Sequence, residues 1–449
     1  MRRTVSLSLL AGAAFGASSV AAIAESTSND EVRAMVAEML ADADSRSSLL
    51  QGGGAAGHDG KFFLASPDGN FRMNVSGQMQ FRYVMSLRDE ADPNAANFNE
   101  QVGNVDDFDH GFEMRRTKLQ FDGHVYSPDL IYKVQGAFDR NGGAFTLEDA
   151  YIGWQLEDGG KLIAGQFKAP FMREELVSSK YQLAADRSFT NEFFTGNRTQ
   201  GIQYSQEMEN IRYAVSFNEG FDNSLISSYS NGAGTATNTG FNNDQTDWGF
   251  SGRVEFLLGG EWGAFKDFTS EPGAAMSHML GVAGHYQGGS EIYVAGVSVD
   301  NDDLFAYTID YSIEGDGWNA FAAFVGNSTD AGVSGAPDGD NFGFVVQGGL
   351  NFDENNEGFL RYDYVGADDA LVGQNDELST ITVGLNHYVH GHAAKFTVDL
   401  NWVLDEAMNP AVGSGGAVTP SFLNSSGIGY LGSNDSDEIY IRAQFQLLF

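Results

Sequence analysis

Hydrophobic and polar residues alternate along most of this 449-residue chain. At its end Ile439, Ile441, Ala443, Phe445, Leu447 and Phe449 share one parity, while Tyr440, Arg442, Gln444 and Gln446 hold the other. A period of two places alternate side chains on opposite faces of a strand. The same pattern runs from Arg72 to Leu87. Met73, Val75, Gly77, Met79, Phe81, Tyr83, Met85 and Leu87 form one face, and Arg72, Asn74, Ser76, Gln78, Gln80 and Arg82 the other. A run of this length exceeds the usual soluble strand of about 5–6 residues. It suits a strand crossing lipid, which needs about 9–11.

Further strands are predicted near 112–126, 130–138, 145–156, 161–168, 199–207, 210–218, 247–258, 277–287, 303–313, 317–326, 341–352, 357–365, 377–389, 394–403 and 437–449. The run "EIYVAGVSV" at 291–299 is one more candidate. An up-and-down barrel needs an even number of strands, with short turns at one end and longer loops at the other. "SPD" at 127–129 is a tight turn, so 88–110 becomes an outer loop, as do 168–198, 219–246, 327–340, 366–376 and 404–436. The parity closes only if 291–299 belongs to a loop. The prediction is an all-β transmembrane antiparallel barrel of sixteen strands. Eighteen is the alternative, with an extra strand in 219–246 or in "KFFLASPDGNF". Closure leaves no free edge and satisfies every backbone group in lipid. It also ties down a terminus that would otherwise fray.

The start of the chain reads differently. Residues 1–24 carry Arg2 and Arg3, an apolar stretch and Ala22-Ile23-Ala24, the layout of a secretory signal peptide. Residues 25–60 read as a short periplasmic helix and a Gly-rich linker. Val32, Met35, Val36, Met39, Leu40 and Ala43 recur at helical spacing within 29–45, and "QGGGAAGHDG" follows. The barrel is assigned to 61–449. An exported chain with no cysteine cannot rely on disulfides. Its stability must come from packing and from a closed hydrogen-bond ladder.

The formal charge of −36 argues against nucleic-acid binding. The acid lies in islands such as "VDDFDHG", "PDGDN", "ADDALVGQNDE" and "SNDSDE", which read as a solvated rim that can hold Ca2+ or Mg2+ unspecifically. Phasing the strands by their apolar face leaves a different balance inside. Arg72, Arg82, Arg116, Lys118, Lys133, Arg212, Arg253, Arg361, Lys395 and Arg442 face the lumen, against Asp122, Asp139, Asp149, Glu255, Asp310, Asp363 and Asp399. No Gly-x-Ser-x-Gly elbow or HExxH helix is present, so no catalytic residue is assigned. His387, His390 and His392 in "NHYVHGH" read as a solvated turn rather than a metal site.

Within 111–204 the segments "GFEMRRTKLQFDGHVYSPDLIYKVQGAFDRNGG", "LEDAYIGW", "KLIAGQFKAPFMREELVSS" and "RTQGIQYS" resemble the phosphate-selective porin O and P family. The resemblance implies a homotrimeric porin in the outer membrane of a diderm bacterium. Its third loop, here about 168–198, would fold inward and narrow a water-filled pore for small hydrophilic solutes, with basic residues drawing anions such as phosphate. Lys168, Arg173, Lys180 and Arg187 on that loop, with Arg82, Arg116 and Lys118 on the wall, are the expected constriction. "REELVSSKYQLAAD" has helical character. The acidic rim keeps a general or cation-selective pore open as an alternative, and a barrel that only anchors envelope layers is another. Phe449 at the end of an alternating strand resembles the signal read by the barrel assembly machinery. Expected partners are outer-membrane lipid and that machinery, with no cofactor.

Overall fold

The computed structural model describes residues 55–88, 107–140, 142–221, 236–241, 246–294, 297–300, 303–330, 339–368, 376–406, 427–432 and 437–449. The stretches read above as a signal peptide (1–24) and a short helix (29–45), and most of the acidic loops, therefore lie outside the described residues. Twenty strands occur among those described: β1 (Ala55–His58), β2 (Phe62–Ala65), β3 (Arg72–Leu87), β4 (Phe108–His124), β5 (Leu130–Phe138), β6 (Phe145–Gln155), β7 (Gly160–Lys168), β8 (Arg198–Glu207), β9 (Ile211–Asn218), β10 (Thr246–Gly259), β11 (Ser277–Gly289), β12 (Glu291–Val294), β13 (Val297–Asp300), β14 (Asp303–Gly315), β15 (Trp318–Asp330), β16 (Gly339–Asn351), β17 (Asn356–Gly366), β18 (Glu377–His390), β19 (Ala394–Val403) and β20 (Glu438–Leu448).

Sixteen of these, β3–β11 and β14–β20, pair antiparallel with their neighbours into a closed barrel. β20 meets β3 in the register Ile439↔Leu87 to Leu448↔Gln78. The terminal residue is locked as well. Gly77 donates its N–H to the Phe449 carbonyl at 2.7 Å, and Phe449 returns the bond at 3.2 Å. β12 and β13 form a separate hairpin in the loop between β11 and β14, so 291–299 is indeed not a wall strand. The two extra strands add to one rim without widening the barrel. β2 pairs with the lower part of β3, below the end of β20, and β1 pairs with β2. One extra strand was thus correctly placed in "KFFLASPDGNF". Within the stretch 51–60 read as a linker, Ala55–His58 is instead a strand that pairs with Phe62–Ala65. No helix among the described residues is long and apolar enough to cross a membrane.

The burial pattern is that of a soluble protein turned inside out. On β20, Tyr440, Arg442, Gln444 and Gln446 are buried, while Phe445 and Leu447 are exposed. On β3, Gln78, Gln80 and Arg82 are buried, and Met79 and Phe81 are exposed. Charged residues outside the barrel would cost about 2–4 kcal/mol at mid-membrane, and this fixes the phase of every strand.

Two insertions fill the interior. One joins β7 to β8 and is the expected third loop. It carries the one-turn helix α1 (Arg173–Leu176), a 3-10 turn (Ser179–Tyr181) and the longer helix α2 (Phe189–Phe194). The helical pattern expected of "REELVSSKYQLAAD" is therefore mostly irregular chain, and the principal helix lies after it. The other insertion joins β10 to β11 at the end where turns were expected to be short. Residues 260–276 fold inward there, burying Phe265, Asp267, Phe268 and Ser270. Phe268 packs against Phe321, the tilted rings 5.0 Å apart, and shares a buried cluster with Val177, Leu183 and Ala184 of the third loop. A second cluster joins Phe171, Phe189, Phe193 and Phe194 to Ile428 and Tyr430 from the outer side.

Candidate pore constriction

The third loop is pinned to the wall formed by β16–β20. Lys395 donates to the Gln182 carbonyl at 2.8 Å, Asn386 to Leu183 at 2.9 Å and Arg361 to Asp186 at 2.9 Å. In the other direction, the Ala185 and Phe189 N–H groups donate to Asp399 and Asp363, each at 3.0 Å. Buried backbone groups of irregular chain need such partners. Ser188 caps α2 by accepting from the Asn191 N–H at 2.9 Å. Arg187 donates to the carbonyls of Glu174, Glu175 and Val177, satisfying the open end of α1.

Asp186 is the centre of the clasp. Arg82, Arg115 (3.1 Å), Arg116 (2.7 Å) and Arg442 (3.5 Å) converge on its fully buried carboxylate. Burial alone would raise its pKa, but the Arg115, Arg116, Arg82 and Arg442 guanidiniums outweigh it and hold the group well below the usual carboxylate range. Arg82 also binds Glu113 and the Gly427 carbonyl. Arg442 binds Asp399 at 2.7 Å.

Beside the loop, on the side of β3–β8, lies a cavity of about 470 Å³. A second cavity of about 620 Å³ continues towards β8–β10 and Lys266. Lys161, Lys168, Leu176 and Gln203 line both, so they stand at the junction. The first cavity carries seven basic side chains: Lys118, Lys133, Lys161, Lys168, Lys180, Arg187 and Arg198. Three carboxylates oppose them. Glu148 binds Lys118 (2.5 Å) and Arg198 (3.5 Å), Asp149 binds Lys133 (2.5 Å) and Arg198 (2.6 Å), and Glu175 binds Lys168 (3.0 Å) and Arg187 (3.2 Å). Burial pushes the Glu175 carboxyl up, but Arg187 and Lys168 bring it down to about 2. Lys161 and Lys180 bear no ion pair among the described residues. Lys180 lies 5.1 Å from the Tyr181 ring, and burial and the ammonium groups of Lys61 and Lys133 lower its pKa.

The seven residues expected at the constriction thus divide. Lys118, Lys168, Lys180 and Arg187 line the first cavity. Arg82 and Arg116 belong to the Asp186 clasp. Arg173 lines the second cavity but is turned down onto the lower insertion. It donates to the Phe265 (3.1 Å) and Asp267 (3.3 Å) carbonyls and to Ser312 (2.8 Å), with the Phe265 and Phe268 rings at 5.5 and 5.1 Å. Asp139, counted with the wall, is exposed beyond the end of β5. His392 is not solvated. Its ring is buried near Tyr181 and Tyr388, 3.7 Å from Asp267, and burial lowers its pKa to about 2.

Sequence reasoning missed Arg115, Glu148 and Lys161. The register jumps from Gln80↔Arg116 to Phe81↔Met114, so Arg115 is the extra residue of a β-bulge. It jumps again from Gln135↔Asp149 to Gly136↔Leu147, which makes Glu148 another. Each bulge turns a second charge into the lumen beside Arg116 or Asp149. The signal was two adjacent charges, "RR" and "ED", in strands that otherwise alternate. Lys161 was hidden because Leu162 and Ile163 are both apolar and leave β7 without a clear phase.

Comparison with known proteins agrees with this architecture. Residues 87–256 match the model of the family "Phosphate-selective porin O and P". The fold is similar to the anion-selective porin from Comamonas acidovorans, at 13% identity and TM-score 0.53, over 84% of this chain and 99% of that one. It is also similar to the outer membrane channel DcaP of Acinetobacter baumannii, at 13% identity and TM-score 0.51, over 84% and 97%. No curated protein sequence matches the chain significantly. The chain has the fold of outer-membrane porins throughout its barrel, and its residues 87–256 match the phosphate-selective porin O and P family.

Proposed function

We propose that this porin admits small hydrophilic solutes across the outer membrane by diffusion and prefers anions. The observation that carries this reading is the basic cavity beside the third loop, in which Lys161 and Lys180 bear no ion pair among the described residues. The whole chain is strongly acidic, so the bias is local. Rings of charged side chains set ion preference in narrow passages. Charges there act in a lower effective dielectric than those on an exposed rim. Arg82, Arg115 and Arg116 hold the loop in place, and the lysines meet the solute. Phosphate is one anion this cavity suits. A homotrimer in outer-membrane lipid, inserted by the barrel assembly machinery, is the proposed form, and divalent cations on the acidic outer loops belong to the same proposal.

The reading is tested by zero-current potentials in planar bilayers under a KCl gradient. The wild type is expected to prefer chloride, and Lys161→Gln with Lys180→Gln to shift the potential towards potassium. A potential unmoved by the double replacement would remove these lysines from the selectivity of the pore.

A further inference from the structure

The same cavity also holds neutral polar side chains whose oxygens can accept a hydrogen bond, which a bare anion cannot supply. Ser76, Gln78, Gln120, Gln135, Tyr151 and Gln203 stand among its lysines. The amide NH2 of Gln120 donates to Asp122 at 2.7 Å, and that of Gln135 to Glu148 at 2.6 Å. Their carbonyl oxygens are the ends left over. Gln203 lines both cavities, and its buried Oε1 has no hydrogen-bond donor among the described residues. An amide oxygen only accepts, so it disfavours a bare anion and calls for an O–H or N–H. The ammonium groups of Lys161 and Lys180 only donate. The cavity of about 470 Å³ lies within the range of small-molecule sites, about 300–1,000 Å³. It is far roomier than a single inorganic ion requires.

Resting on the anion preference proposed above, we infer that the favoured solute is a polyhydroxylated organic anion, a sugar acid in chemical class. Its charged group meets Lys161 and Lys180, and its hydroxyls donate to the carbonyl oxygens of Gln120, Gln135 and Gln203. The pairing explains why acceptors are retained in a basic passage.

The test is block of the chloride current through the wild-type channel in a planar bilayer. The probes are gluconate, acetate, inorganic phosphate and glucose. Gluconate is expected to half-block at a concentration about five- to tenfold below each of the others, the factor that one or two added hydrogen bonds supply. Gln203→Leu is expected to remove most of that advantage. Acetate or phosphate blocking as well as gluconate would overturn the inference and leave the anion preference standing. Glucose blocking as well as gluconate would overturn it too, since charge would then contribute nothing. The zero-current potential of the same membranes reads the anion preference separately. If Gln203→Leu does not assemble, the ranking of the four probes on the wild type still decides.

Discussion

At Asp186 four guanidiniums meet one carboxylate, and this residue decides whether the third loop stays in the barrel. Removing one partner from a buried ionic cluster costs about 3–5 kcal/mol, because the remaining charges stay buried and unpaired. Asp186→Asn should leave the barrel assembled and loosen residues 168–198. Limited proteolysis of the folded variant would then cut the loop, and wild type would resist. A carboxylate whose pKa is depressed on folding stabilises the fold above its unfolded value and loses that contribution as pH falls through the folded one. The folded value of Asp186 lies well below 3.8, so the clasp should hold through mild acid. Asp267 behaves oppositely. Burial raises its pKa to about 6, against the Thr269 N–H bond and the charges of Lys266 and Arg173, with Glu357 adding to the rise. Between its ordinary 3.8 and about 6 the folded state binds more protons than the unfolded chain. Stability should therefore increase as pH falls from 7 to about 5. Asp267→Asn should flatten that slope in melts of the folded barrel, and an unchanged slope would place its origin elsewhere.

The strands carry the next level of the argument. A Cβ on Gly77 would lie 2.2 Å from the Phe449 ring, so the ring covers the glycine on the outer face of the closing seam. Gly77→Val should therefore impair closure much as deletion of Phe449 does. Both should lower the yield of heat-modifiable barrel, and normal yield from both would show that the seam does not need this contact. Closure itself was legible because the stripe ending at Phe449 has no reason to alternate so strictly unless both faces are solvated differently. Sixteen strands were legible from turn lengths around "SPD". The bulged charges Arg115 and Glu148 were not, because a period-two reading sends them to lipid. That placement costs about 2–4 kcal/mol for an arginine at mid-membrane and less for a glutamate, and should itself have prompted a search for a bulge. The inward fold of 260–276 was not legible either. Phe265 and Phe268 look like ordinary turn aromatics until Arg173 is seen to hold the chain by its carbonyls. Within the expected constriction, residue types were readable and partners were not. Arg173, Arg187 and Lys180 look alike in sequence, yet the first two are consumed by backbone carbonyls, and of the three only Lys180 has neither a carbonyl nor a carboxylate partner for its side chain among the described residues.

At the scale of the molecule, charge is sorted by place. The chain has a net charge of −36, whereas the cavity beside the third loop is lined by seven basic side chains and two acidic ones, Asp149 and Glu175, with Glu148 pairing from just outside the lining. An acidic mouth concentrates cations, and a basic constriction selects anions, so the two oppose each other along one route. Salt separates them, because exposed charges are screened beyond about 8 Å at physiological ionic strength and about 3 Å at 1 M. The most direct measurement is the zero-current potential of the wild-type channel at a fixed KCl ratio, repeated from about 0.05 to about 1 M, the span over which the screening length falls several-fold. Anion preference that persists or grows with salt is the predicted result. Cation preference at high salt would contradict the account and return the loop lysines to a purely structural role.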